Sequence, residues 1–308
     1  MKNILVLSIL ALLFSCNSQL ERKDANKDGI TILADGTKVE NAVESVSERV
    51  EDAVDRAEEP STAKEEREET ETETDKYTER EAFIPSPFIA KILEQLGVKP
   101  VQVYEEFVVQ KVLPYDTAST VVVIPTIASL EYDGDVFTLN SYVLVVDSET
   151  VKIKQQFYES ESWQSDAVRL AEVSVDTANY QVADDQRAFG ITLYYIGASR
   201  PNPYSTKTLS LFIQEKDKLV RVLNAFETQS HWGEWDMQCT GEFINVDKVL
   251  IMAANQSEGF YDILVNVKTT TRETFEKGED DCDEKETTQK SKQLLRYTKG
   301  VYQLYKVS

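Results

Sequence analysis

Groups that do chemistry are scarce in this chain. Its 308 residues hold one histidine, His231, and three cysteines. There is no Gly-x-Ser-x-Gly elbow and no glycine-rich phosphate loop, which removes the common routes to Ser-His-Asp catalysis and to nucleotide binding. A zinc centre needs more imidazoles or thiolates than are present. Basic residues are also short: 33 Lys and Arg stand against 54 Asp and Glu, a formal net charge of -21. Nucleic acid is therefore excluded as a partner, because phosphates are held by clustered Lys and Arg. An anionic membrane surface attracts so acidic a chain no better, and any membrane attachment must come from another source.

A leader supplies that source. Lys2 precedes an apolar-rich run from Ile4 to Phe14, too short to persist as a membrane-spanning helix and built like a secretory signal peptide over residues 1–15. The end of the run, Leu13-Phe14-Ser15-Cys16, resembles the lipobox of bacterial lipoproteins. The resemblance implies a lipid-modified Cys16 as mature N-terminus and a protein tethered at the cell envelope by acyl chains. Each buried methylene contributes about 0.8 kcal/mol, so two or three chains hold where one does not. Asn17 is not the aspartate that the best-known sorting rule uses for inner-membrane retention, and the resemblance thereby favours the outer membrane. With Cys16 acylated, Cys239 and Cys282 remain as a pair in an oxidising compartment, where a disulfide closing about 44 residues is expected.

Residues 16–82 read as anchor and stalk. Asp24, Asn26 and Asp28, followed by Gly29 and with Asp35 twelfth in line, resemble the start of an EF-hand-type loop and make calcium the one candidate cofactor. Thr31 stands where that loop has an aliphatic residue, Asp35 replaces its usual Glu, and a plain polar turn is the alternative. Val and Ala recur at helical spacing over residues 38–59, ahead of Pro60, so a helix that packs on a partner or a second copy is expected there. From 60 to 82 the chain is nearly devoid of apolar residues and is expected to be disordered or a solvated helix.

Residues 83–308 read as a mainly β head domain. Ser86, Pro87 and Gly97 bracket a short opening helix by N-cap, first-turn and C-cap rules. A series of strand-like runs follows, beginning with Val101–Val109 and Thr120–Ile127 and including Trp235–Ile244. Short spacing leaves no room for crossover helices, so an antiparallel meander is expected, as sandwich, barrel or partial propeller. Tyr142–Val146 is apolar on both parities, the mark of a strand covered on both faces, whereas Leu209, Leu211 and Ile213 alternate with Ser210 and Gln214 as if one face met water. Gly259–Val265 and Leu295–Tyr302 resemble strands of integrin-type propeller repeats, with Asn255-Gln256-Ser257-Glu258 where that family has its calcium loop.

Two stretches carry the candidate site. Read as one strand, His231–Cys239 puts Trp235, Met237 and Cys239 on a buried face and Trp232, Glu234, Asp236 and Gln238 on the other. An exposed Trp beside carboxylates suits a sugar ring, and Glu234 with Asp236, about 7 Å apart, falls in the range of glycosidase carboxylate pairs. The connection Gly197–Tyr204 adds Arg200 and Tyr204 as ligand-binding candidates. Five carboxylates around Cys282, between Glu279 and Glu284, read as a solvated loop tip. Three functions follow: a lipid-anchored module that binds an envelope protein or glycan, a carboxylate-based glycoside hydrolase, and an oligomeric spacer.

Overall fold

The computed structural model describes residues 83–278 and 281–305. The expected signal peptide, Cys16, the calcium candidates Asp24, Asn26, Asp28 and Asp35, the helix expected over 38–59 and the 60–82 tract lie outside those residues, as do Glu279 and Asp280.

The head opens with helix α1 (Pro87–Leu96). Ser86 Oγ accepts the Ile89 N–H (3.3 Å), Pro87 occupies the first turn, and Gly97 closes the helix at φ 69°. The expected strand Val101–Val109 is instead two 3-10 turns, Pro100–Gln102 and Glu105–Phe107, with one bridge from Val103 to Thr126. Pro100 has no N–H to give a ladder, and Tyr104 and Phe107 turn their rings inward onto Phe137. Strand β1 (Val109–Leu113) starts where that segment ends.

Four antiparallel strands form the first sheet in the order β1, β2 (Asp116–Glu131), β3 (Val136–Asp147), β4 (Ile153–Ser165). The second has eight, in sequence order from one edge to the other: β5 (Val168–Ala183), β6 (Gln186–Gly197), β7 (Tyr204–Glu215), β8 (Lys218–Trp235), β9 (Gly241–Ser257), β10 (Phe260–Glu276), β11 (Cys282–Thr298), β12 (Val301–Leu304). Neither sheet closes into a barrel. The architecture is the antiparallel meander expected from the strand spacing.

Three apolar clusters stack the layers. Ile89, Ile92 and Leu93 of α1 cover Val122, Ile124, Leu144 and Val146 on one face of the four-stranded sheet. Val121, Val123, Val143 and Val145 on its other face meet Phe189, Ile191 and Phe212 of β6 and β7. Alternate residues of β3 thus enter different cores, which is why Tyr142–Val146 is apolar at every position. The third cluster joins Leu209, Leu211 and Ile213 of β7 to Ile263, Val265 and Leu295 of β10 and β11, so the eight-stranded sheet folds over on itself. The face of β7 expected to meet water carries buried Phe212, stacked on Phe189, and is covered by the first sheet. Each such side chain contributes roughly 1.5 to 3 kcal/mol on burial.

The fold-over begins in β8. Ala225 sits at φ 42°, a β-bulge conformation, and its N–H is taken by Ser210 Oγ (2.9 Å). Beyond it β8 pairs with β9 only from Gln229 to Trp235, against Asp247 back to Gly241. From Lys248 onward β9 pairs with β10 alone.

Candidate functional site

The distal ends of β8 to β11 form a ribbon whose two faces both reach solvent. That explains the composition of β11, where Glu284 to Lys292 are exposed at every position and no alternation survives. The ribbon holds through its ladders and through one cross-link: Cys239 in the β8–β9 turn and Cys282 at the start of β11 meet at disulfide distance, with Cα atoms 5.4 Å apart. Lys277 pairs with Asp283 (2.8 Å) and Arg272 with Glu284 (3.5 Å), so the carboxylates of this tip neutralise neighbouring cations.

Trp235–Ile244 is not one strand. β8 stops at Trp235, residues 236–240 turn, and β9 starts at Gly241. Asp236 builds the turn: its Oδ1 accepts the N–H groups of Gln238 (2.8 Å) and Thr240 (3.0 Å). Met237 takes φ 65° and is half exposed, so the expected buried face of Trp235, Met237 and Cys239 does not form. Glu234 and Asp236 likewise do not share a strand face. The carboxylate that Glu234 faces belongs to Glu242, its register partner on β9, and Glu273 on β10 follows in the same row. Among the described residues no group of carboxylates, histidines or cysteines is arranged to hold a metal ion.

What the sequence treated as two stretches the fold brings together. The 198–203 connection runs along the end of β8, where Pro201 O accepts the Trp235 N–H (2.8 Å) and Pro203 O the Gly233 N–H (3.1 Å). Tyr204 at the start of β7 is then the register partner of Trp232. Both side chains remain open, at 38% and 41% exposure, directly opposed on adjacent strands. Ile244 continues the row on β9. Phe275, also exposed, lies beyond the Glu234–Glu242–Glu273 row along a shallow groove of about 660 Å³. One face of the tip therefore carries exposed aromatics and a carboxylate row that ends on Lys285 of β11, 3.9 Å from Glu273.

The opposite face is cationic and aromatic. Gly233 and Gly241 make room for it: a Cβ on Gly233 would stand 2.7 Å from Phe243 Cδ1, and one on Gly241 3.0 Å from Trp235 Cδ1. Phe243 lies parallel to the His231 ring and carries the Arg272 guanidinium 4.7 Å from its centroid. His231 Nδ1 shares a hydrogen bond with Asn245 Oδ1 (2.8 Å), which fixes the imidazole on the sheet. Arg200, Trp235 and the Cys239–Cys282 pair complete a hollow of about 460 Å³. Arg200 thus stands behind the sheet from Trp232, and the two do not line one pocket.

Sequence reasoning missed a third concavity, at the point where β8 and β9 part. Lys111 of β1, Lys207 of β7 and Lys248 of β9 converge on a cleft of about 560 Å³. Across its rim Lys248 Nζ donates to Glu227 Oε1 (2.9 Å), which also accepts Ser230 Oγ (3.0 Å). Burial alone would raise the Glu227 carboxyl, but those two hydrogen bonds and the ammonium charge outweigh it and lower it. No short motif announces this group, because its members are far apart in the chain.

Comparison with family models, with curated proteins and with solved structures finds no match.

Proposed function

We propose that this chain is a lipid-anchored protein of the cell envelope, held at the outer membrane through Cys16, whose head is a binding module for an envelope protein or a glycan. The leader and the Leu13-Phe14-Ser15-Cys16 motif support the anchoring. The binding reading rests on one observation: Tyr204 and Trp232, opposed on adjacent strands, remain open to solvent on a cross-linked tip with Glu234 and Glu242 beside them. Large aromatics held out of the core on rigid elements serve contact, since flat rings stack on sugar C–H faces or fill partner pockets at little entropic cost. The neighbouring carboxylates accept hydrogen bonds from sugar hydroxyls.

The test is capture. Wild-type protein and the double variant Trp232→Ala, Tyr204→Ala are applied to a glycan array and to detergent-solubilised membranes. A reproducible glycan or protein partner, weakened at least about tenfold in the variant, is expected. A blank array with no reproducible partner, or binding untouched by the double substitution, overturns the reading. The spacer alternative depends on residues 38–59 and is tested separately by light scattering with and without that segment.

A further inference from the structure

Where β8 and β9 diverge, each strand loses a neighbour, and the two edges look across a cleft whose character differs from the rest of the molecule. In a chain of net charge -21, its walls present three ammonium groups against one carboxylate, Asp176. The carboxylate is engaged, accepting Tyr180 Oη–H (2.7 Å) and the Ala178 N–H (2.9 Å). Lys111 Nζ is braced by donating to Val175 O (3.0 Å), and Lys248 Nζ is held by Glu227. Lys207 makes no side-chain hydrogen bond or ion pair with any described residue, though it is only partly exposed. An ammonium that shares a cleft with two braced ones, and that has no hydrogen-bonded or ion-paired partner among the described residues, is arranged to receive an anion.

The remaining lining is polar but neutral. Ser174 Oγ and Thr192 Oγ1 share a hydrogen bond (2.6 Å), and Asn179 and Gln229 add amide donors and acceptors above an apolar floor that includes Leu209. The volume is in the range of small-molecule sites. We infer that this cleft binds an anionic polyol, a sugar acid or sugar phosphate, with its charged group between Lys207 and Lys111 and its hydroxyls on the Ser174–Thr192 wall. The site goes beyond the tip reading and does not depend on it.

Isothermal titration of the full chain with glucuronate, glucose 6-phosphate, inorganic phosphate and glucose tests the assignment. Saturable binding of at least one of the two anionic sugars is expected, weakening as salt is raised, with glucose at least about tenfold weaker. Lys207→Gln and Lys111→Gln each weaken it about tenfold or more, while circular dichroism stays that of the wild type. Lys207→Gln weakens it by the same factor in a Trp232→Ala background, which separates this site from the tip. Absence of saturation by either anionic sugar overturns the assignment. So does a Lys111→Gln, Lys207→Gln double variant that binds like wild type, or inorganic phosphate binding as tightly as glucose 6-phosphate.

Discussion

Removing the Cys239–Cys282 link tests whether the tip folds with the rest of the head. The two residues are 43 apart in sequence, and the loop they close contains the whole β9–β10 hairpin. In the chain-entropy treatment a loop of that size loses roughly 13 cal/mol/K in the unfolded ensemble, or about 4 kcal/mol at 25 °C. For a domain of this size each kcal/mol moves Tm by about 2 to 4 °C, so the double variant Cys239→Ser, Cys282→Ser should melt about 10 °C lower. That holds only if tip and body unfold together. The β10–β11 ladder supports this, because it runs unbroken from Glu276 and Cys282 down to Ile263 and Leu295 in the core. Calorimetry reads the answer directly. A main transition moved by less than about 2 °C, with a separate low-temperature transition for the ribbon, would refute the argument.

Three further outcomes follow from the packing. Phe189 is fully buried and stacked on Phe212, so Phe189→Ala should cost about 3 to 5 kcal/mol in urea titration, and a cost below 1 kcal/mol would contradict the placement of that core. Arg221 clamps Glu159 with two bonds of 2.6 and 2.7 Å across the sheets, and a double-mutant cycle with Glu159→Gln and Arg221→Gln should return a coupling of about 1 kcal/mol rather than zero. Burial pushes the Tyr195 phenol up to about 12, and burial together with nearby negative charge raises Tyr180 as well. Phenols raised in the folded state contribute stability below their ordinary value, near 10, and lose it as pH climbs towards the folded values. Spectrophotometric titration should therefore show tyrosines ionising late and cooperatively with unfolding; simple titration of every tyrosine near 10 in folded protein would contradict this.

The legible parts of the fold were those with two-sided or regular apolar patterns. Tyr142–Val146 announced a strand between two cores, and Ser86, Pro87 and Gly97 announced α1, because burial and capping are local demands on residue type. Cys282–Gln293 did not read as strand: a ribbon wet on both faces needs no apolar alternation, and its ladder forms with β10 regardless. The turn after Trp235 escaped because it carries no Asn-Gly or Asp-Gly pair; its geometry comes from the Asp236 carboxylate and the φ of Met237. At the candidate site the residue types were legible and their grouping was not. Tyr204 meets Trp232, and Arg200 lies behind the sheet from it, through long-range register that no single-stretch parity argument reaches. The lysine cleft, assembled from positions 111, 207 and 248, left no local trace at all.

Everything proposed for the tip presumes delivery to the envelope, so acylation of the mature N-terminus is the decisive measurement. Cells expressing the chain are fed an alkyne-tagged palmitate, and the purified protein is probed for label. The account predicts label on the wild type, none on Cys16→Ser, and recovery of the wild type with the membrane fraction. An unlabelled wild-type protein found free in the cytosol with reduced Cys239 and Cys282 would contradict it.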